Sequence, residues 1–158
     1  MNRKEEKIMK IALIIIIALI VISLIAITIQ NRKPQVELGL VNNKFHELSS
    51  KPNGVSTQTK QEDKRIEALE FKESLAASKD AIKKAFEAYG SIEIKEEQDN
   101  YIYAVATTGT MKYHDDIEIY FDKSSNKVHY RSASRAGYSD NGLNRKRFDS
   151  IAKVYSDQ

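Results

Sequence analysis

The apolar residues of this chain follow three different rules along its length, and each rule predicts a different kind of element. Between residues 11 and 29 they are continuous: IALIIIIALIVISLIAITI holds no charge, proline or glycine. As a helix rising about 1.5 Å per residue, this run spans roughly 28 Å, close to the hydrocarbon thickness of a bilayer. A helix also satisfies its own backbone hydrogen bonds in lipid. The pattern therefore predicts a transmembrane helix rather than a buried core helix, since no other part of so short a chain has the mass to surround it. A cleaved signal peptide is the nearer rival. Its apolar stretch normally covers about 7–15 residues and ends at a small-residue cleavage site. Here the run is longer and exits through Ile27, Thr28, Ile29 and Gln30.

Beyond the run, the period of the pattern becomes helical and then two. Ala81, Ile82, Ala85, Phe86 and Tyr89 share one helical face, with Ser78 placed to cap the start and Gly90 to stop it. Ile92 and Ile94 then alternate with Glu93 and Lys95, and YIYAVATT (101–108) is rich in strand formers. Ile117, Ile119 and Phe121 alternate with Glu118, Tyr120 and Asp122, and Val128 and Tyr130 with His129 and Arg131. Asp99-Asn100, Thr108-Gly109 and residues 123–126 separate these runs, as hairpin turns do. Helical spacing returns at Phe148, Ile151, Ala152 and Tyr155, while residues 66–71 fit either a short strand or a helix start. An architecture that buries every one of these faces is α+β: an antiparallel β-meander with two helices packed on one face, preceded by one N-terminal transmembrane helix.

The polar stretch from 30 to 60 carries both prolines, Pro34 and Pro52, together with Gly39, Gly54 and the turn signal Asn53-Gly54. The expected division is a head (1–10), a transmembrane helix (11–29), a tether and loop (30–60) and an α+β domain (61–158). Arg3, Lys4, Lys7 and Lys10 precede the helix, whereas Arg32 and Lys33 follow it, with Lys44 further on. That bias favours a cytoplasmic N-terminus and a domain outside the cytoplasm.

Composition narrows the chemistry. Charged residues make up 30% of the chain, yet the formal charge is only +3, which argues against nucleic acid as a partner. Cysteine is absent, so disulfides, thiolate metal sites and a cysteine nucleophile are excluded together. No P-loop or dinucleotide fingerprint is present. His114, Asp115 and Asp116 lack metal-ligand spacing, and no nucleophile elbow surrounds Ser134, so neither a metal, a cofactor nor a Ser134–His129 triad is expected.

Two segments stand apart from this background: DDIEIYFD (115–122), and RSASRAGYSDNGLNRKR (131–147), which leaves one strand and enters the last helix. With the loop PNGVSTQ (52–58), they resemble the bacterial and plastid family called domain of unknown function 1499, over about residues 38–155. The resemblance implies membrane-associated or exported proteins with an α+β domain. The matched set is Asp115, Asp116, Arg131, Ser132, Ser134, Arg135, Gly137, Tyr138, Asp140, Asn144 and Arg147. It also implies a cysteine pair flanking the Pro-Asn turn in relatives, where this chain has Leu48 and Gly54. Catalysis by those thiols is then no shared requirement.

Two chemistries suit the 131–147 segment. A loop opening a helix offers free N–H groups, and Arg131, Ser132, Ser134, Arg135, Tyr138 and Arg147 add donors for a phosphate, sulfate or carboxylate. Alternatively the charges pair internally: Asp115, in phase with Ile117 and Ile119, takes Arg131 or Arg135, Asp116 and Gly137 shape the site, Asp140 caps the last helix, and Asn144 ties down loop carbonyls. Tyr101, Tyr103, Tyr120 and, in this second reading, Tyr138 read as packing and rim residues. Arg145, Lys146 and Arg147 read as a solvated run, or as contacts to anionic lipid headgroups. The expectation is a non-enzymatic, membrane-tethered binding or assembly module of the cell envelope. Its partners would be the lipid bilayer and an anionic small molecule, a lipid headgroup or an envelope protein. A hydrolase using Asp116 with Arg131 and Arg135, or a structural subunit of an envelope complex, is the alternative.

Overall fold

A computed structural model describes residues 2–34 and 37–158 of the chain. The apolar run lies in α1 (Arg3–Gln30), whose start is closed by a reciprocal capping box between Asn2 and Glu5. No α1 residue is buried, and the helix is long and apolar enough to cross a membrane.

The remainder is α+β. In chain order it runs β1 (Leu40–Val41), β2 (Lys44–Phe45), β3 (Gly54–Ser56), a 3-10 turn (Glu62–Lys64), β4 (Leu69–Glu70), α2 (Leu75–Tyr89), β5 (Ile92–Glu97), β6 (Tyr101–Thr107), β7 (His114–Asp122), β8 (Lys127–Ser134) and α3 (Leu143–Ser156). The main sheet has the order β3-β8-β7-β6-β5, all antiparallel, with β4 also pairing β8. Strands β5 to β8 are the meander that the alternating pattern predicts. Both helices cover one face, where Ile82, Ala85 and Phe86 of α2 and Phe148, Ile151 and Tyr155 of α3 meet Ile102, Ile117, Ile119 and Tyr130. Each such fully buried aliphatic or aromatic side chain stabilises the fold by about 1.5–3 kcal/mol.

Two local expectations are corrected. The cap of α2 is Ser74, whose hydroxyl accepts from the Ala77 N–H; Ser78 sits inside the first turn and donates to the Ser74 carbonyl. Residues 38–60 are not a free tether. Phe45 packs with Tyr101 and Tyr120 on the sheet face away from the helices, and β3 pairs β8. Prolines and glycines punctuate this stretch, but Phe45, Leu48 and Val55 are buried and hold it down. Strand β7 is consequently covered on both sides and buried from Asp115 through Phe121.

Gly54 is required by close approach. A Cβ there would meet the Ser132 carbonyl oxygen at 2.7 Å and Leu48 Cδ2 at 3.1 Å. The second distance places the Leu48 side chain beside the backbone of Gly54 across the Pro-Asn turn.

Candidate functional site

Once the β7–β8 turn is placed, register determines which charges meet. Asp122 opposes Lys127, so Glu118 opposes Arg131, Asp116 opposes Ala133 and Asp115 opposes Ser134. Side chains alternate along a strand, so Asp115 shares the helix face with Ile117 and Ile119, while Asp116 and Glu118 share the opposite face. Two polar clusters result, one on each side of the sheet.

On the helix side, Asp115 Oδ2 pairs with Arg147 Nη2 at 2.5 Å. Arg147 Nη1 donates to Asn144 Oδ1 at 2.7 Å and to Ser132 Oγ at 3.4 Å, and the Ser132 hydroxyl also bonds Asn144 Oδ1. The Asn144 amide reaches the Asn53 carbonyl at 3.1 Å and Ser134 Oγ at 3.1 Å. Asp140 accepts from the N–H groups of Gly142 and Asn144, both at 2.9 Å, and so covers the start of α3. Burial opposes the charge of Arg147, but Asp115 outweighs it and holds the guanidinium above its ordinary pKa. The arginine expected on a solvated face is therefore only 2% exposed. It is Asp115's partner in place of Arg131 or Arg135.

On the other side, Asp116 Oδ1 accepts from Arg135 Nη2 at 2.7 Å, from Arg135 Nε at 3.0 Å and from the Tyr103 hydroxyl at 2.7 Å. Glu118 Oε2 takes Arg131 Nη1, while its Oε1 accepts from the Tyr101 hydroxyl at 2.7 Å and from the Gly39 N–H at 2.7 Å. Burial, then the bond to Asp116, pushes the Tyr103 phenol up to about 12, and burial pushes Tyr130 to about 12.

Unfolded tyrosine ionises near pH 10. The raised folded values mean that stability is fully present below about pH 10 and is lost as pH rises through about 12. Denaturant midpoints measured across that window should fall steeply for the parent and less steeply for Tyr103→Phe.

A cavity of about 130 Å³ lies against this second cluster, lined by Ser49, Lys51, Asn53, Asp116, Arg131 and Ser134 among others. Arg131 is fully buried, yet its Nε and Nη2 find no hydrogen-bond partner among the described residues. Lys64 is buried as well. Its ammonium donates to the Ser49 carbonyl at 2.5 Å and to Gln61 Oε1 at 2.6 Å, with no ion pair among the described residues.

Of the residues singled out above, Asp116, Arg131 and Ser134 line the cavity. Ser132, Arg147, Asp115 and Asn144 are occupied on the helix side, and Arg135 is occupied by Asp116 and Tyr103. Tyr138 is 73% exposed on the loop beyond, where Gly137 takes a φ of 90°. Glu118, Lys51, Lys64 and Tyr103 were not predicted as site residues. Glu118 was within reach: a turn at 123–126 places it opposite Arg131 by counting alone.

A sequence model of the family described as "Protein of unknown function (DUF1499)" matches residues 44–154. No curated protein and no solved structure matches the chain.

Proposed function

From the premise that this chain belongs to the DUF1499 family, whose description names no activity, we propose that it is a membrane-anchored, non-enzymatic binding module that holds a small anionic group in the cavity beside Arg131. The observation that carries this reading is the pair of unspent donors on a fully buried guanidinium lining that cavity. Buried donors without partners are costly, and an oxyanion offers two acceptors to a guanidinium fork. The charge balance agrees. Asp116 and Glu118 are already matched by Arg135 and Arg131, and Lys51 adds a further cation to the cavity lining.

The same geometry weighs against hydrolysis, although Asp116 and Ser134 both line the cavity. Asp116 is occupied by Arg135 and Tyr103, and the Ser134 hydroxyl accepts from Asn144 on the other face of the sheet. Among the described residues that line the cavity, no base stands beside a nucleophile. The binding group is thus narrower than the 131–147 segment as a whole and includes Lys51 from the preceding loop.

Titrating inorganic phosphate or acetate into the detergent-solubilised chain should shift the Arg131 Nε–H resonance saturably. Lys51→Ala should weaken that binding about tenfold, the size of one charge-assisted hydrogen bond. Lys123→Ala, at the opposite end of the sheet, should leave it unchanged. A flat titration with both anions, or equal affinities in the parent and Lys51→Ala, would sink the reading.

A further inference from the structure

The last residue of the apolar helix's exit is attached to the domain. Asn31, the C-cap of α1, donates its side-chain amide to the Lys112 carbonyl at 2.8 Å and accepts the His114 N–H through Oδ1 at 2.7 Å. These two bonds tie the helix exit to the backbone of the β6–β7 turn. His114 in turn accepts the Arg135 N–H at 3.0 Å, and the Gly137 carbonyl accepts from the Asn53 amide at 3.4 Å. One end of the sheet therefore gathers the helix exit, the β6–β7 turn, the 135–142 loop and the 49–53 loop that lines the cavity.

That end presents two large exposed residues of apolar character, Met111 at 60% and Tyr138 at 73%. It also carries exposed Arg32, Lys33 and Lys112. We propose that this end of the domain lies against the bilayer surface, with Met111 entering the interfacial layer, Tyr138 at its rim and the three cations facing anionic headgroups. The inference rests on the reading of α1 as a membrane helix. If residues 11–29 fill the hydrocarbon, Asn31 stands at the boundary, and a turn hydrogen-bonded to it stands in the headgroup layer. Amphipathic aromatic side chains and basic residues favour that layer. The cavity of Arg131 then opens beside lipid headgroups rather than toward open solvent.

The chain's lack of cysteine makes the test direct. Met111→Cys, Asp99→Cys in the β5–β6 turn at the far end, and Ile20→Cys in α1 would each carry one fluorophore in the full chain. The chain would be reconstituted in vesicles with anionic lipid and a lipid-borne quencher. The expected result is strong quenching at 20, several-fold more quenching at 111 than at 99, and a fall at 111 toward the level of 99 when Asn31→Ala is added. Quenching at 20 with equal signals at 111 and 99 would overturn the pose while leaving the anchor standing. Absence of quenching at 20 would overturn the anchor and the pose together. Loss of the 111 signal in vesicles without anionic lipid would support the role of the cations, and its persistence there would remove that part of the proposal.

Discussion

Arg147→Met is expected to lower stability by about 3–5 kcal/mol, read as a large drop in the denaturant midpoint with an unchanged slope. Asp115 is 1% exposed, and Arg147 is the only cation paired with it among the described residues. A methionine fills much of the same space but leaves the carboxylate buried without a countercharge. It also withdraws the donor to Asn144 Oδ1, the centre of the network that joins Ser132, Ser134, Asn53 and Asp140. For a domain whose whole stability is of the order of 5–15 kcal/mol, that is a large fraction. Asp115→Asn added to Arg147→Met should recover part of the loss, because a neutral amide tolerates burial beside Asn144 better than a bare charge does. If the double variant is as weak as or weaker than Arg147→Met, the cost lies in packing and the ion pair is not what holds α3 to the sheet.

The same pair shows where reading the sequence succeeds and stops. Asp115 was placed toward the core by its phase with Ile117 and Ile119, and the structure agrees, since alternation depends only on strand geometry. Its partner was not legible, because Arg147 reaches it across the gap between a helix and a strand 32 residues away. The run Arg145, Lys146, Arg147 also looks uniformly solvated, but helical rotation turns one of its three residues inward. The second face of the sheet escaped for a different reason. Glu118 and Asp116 alternate with isoleucines as surface residues do, and only the packing of residues 38–58 over them makes that face an interior. Composition in that stretch points to a loop, while Phe45, Leu48 and Val55 are too widely spaced to register as an element. The meander, the apolar helix and the last helix were legible because each repeats one period over many residues.

Glu118→Leu should be at least as costly, about 3–5 kcal/mol for the stranded arginine, with two further donors left unpaired. Among the described residues Glu118 is the only anion bonded to Arg131, whose Nε and Nη2 have no partner there. It is also the acceptor for the Tyr101 hydroxyl and the Gly39 N–H, the bond that ties the start of the 38–58 layer to the sheet. Amide exchange at residues 39–45 should therefore accelerate more than exchange in α2 or α3. Glu118→Leu with Arg131→Leu should regain the electrostatic part and not the two orphaned donors, so it should fall between the parent and Glu118→Leu. The decisive measurement is the response to added phosphate. Any anion that binds only the folded state raises its stability by RT ln(1 + [L]/Kd). With Glu118 gone, an anion in the cavity would take Glu118's place as the countercharge bonded to Arg131, so phosphate should stabilise Glu118→Leu more than it stabilises the parent. An equal or smaller response would mean that the guanidinium and the cavity do not share a ligand, and the binding reading would fall even if Glu118→Leu proved as unstable as expected.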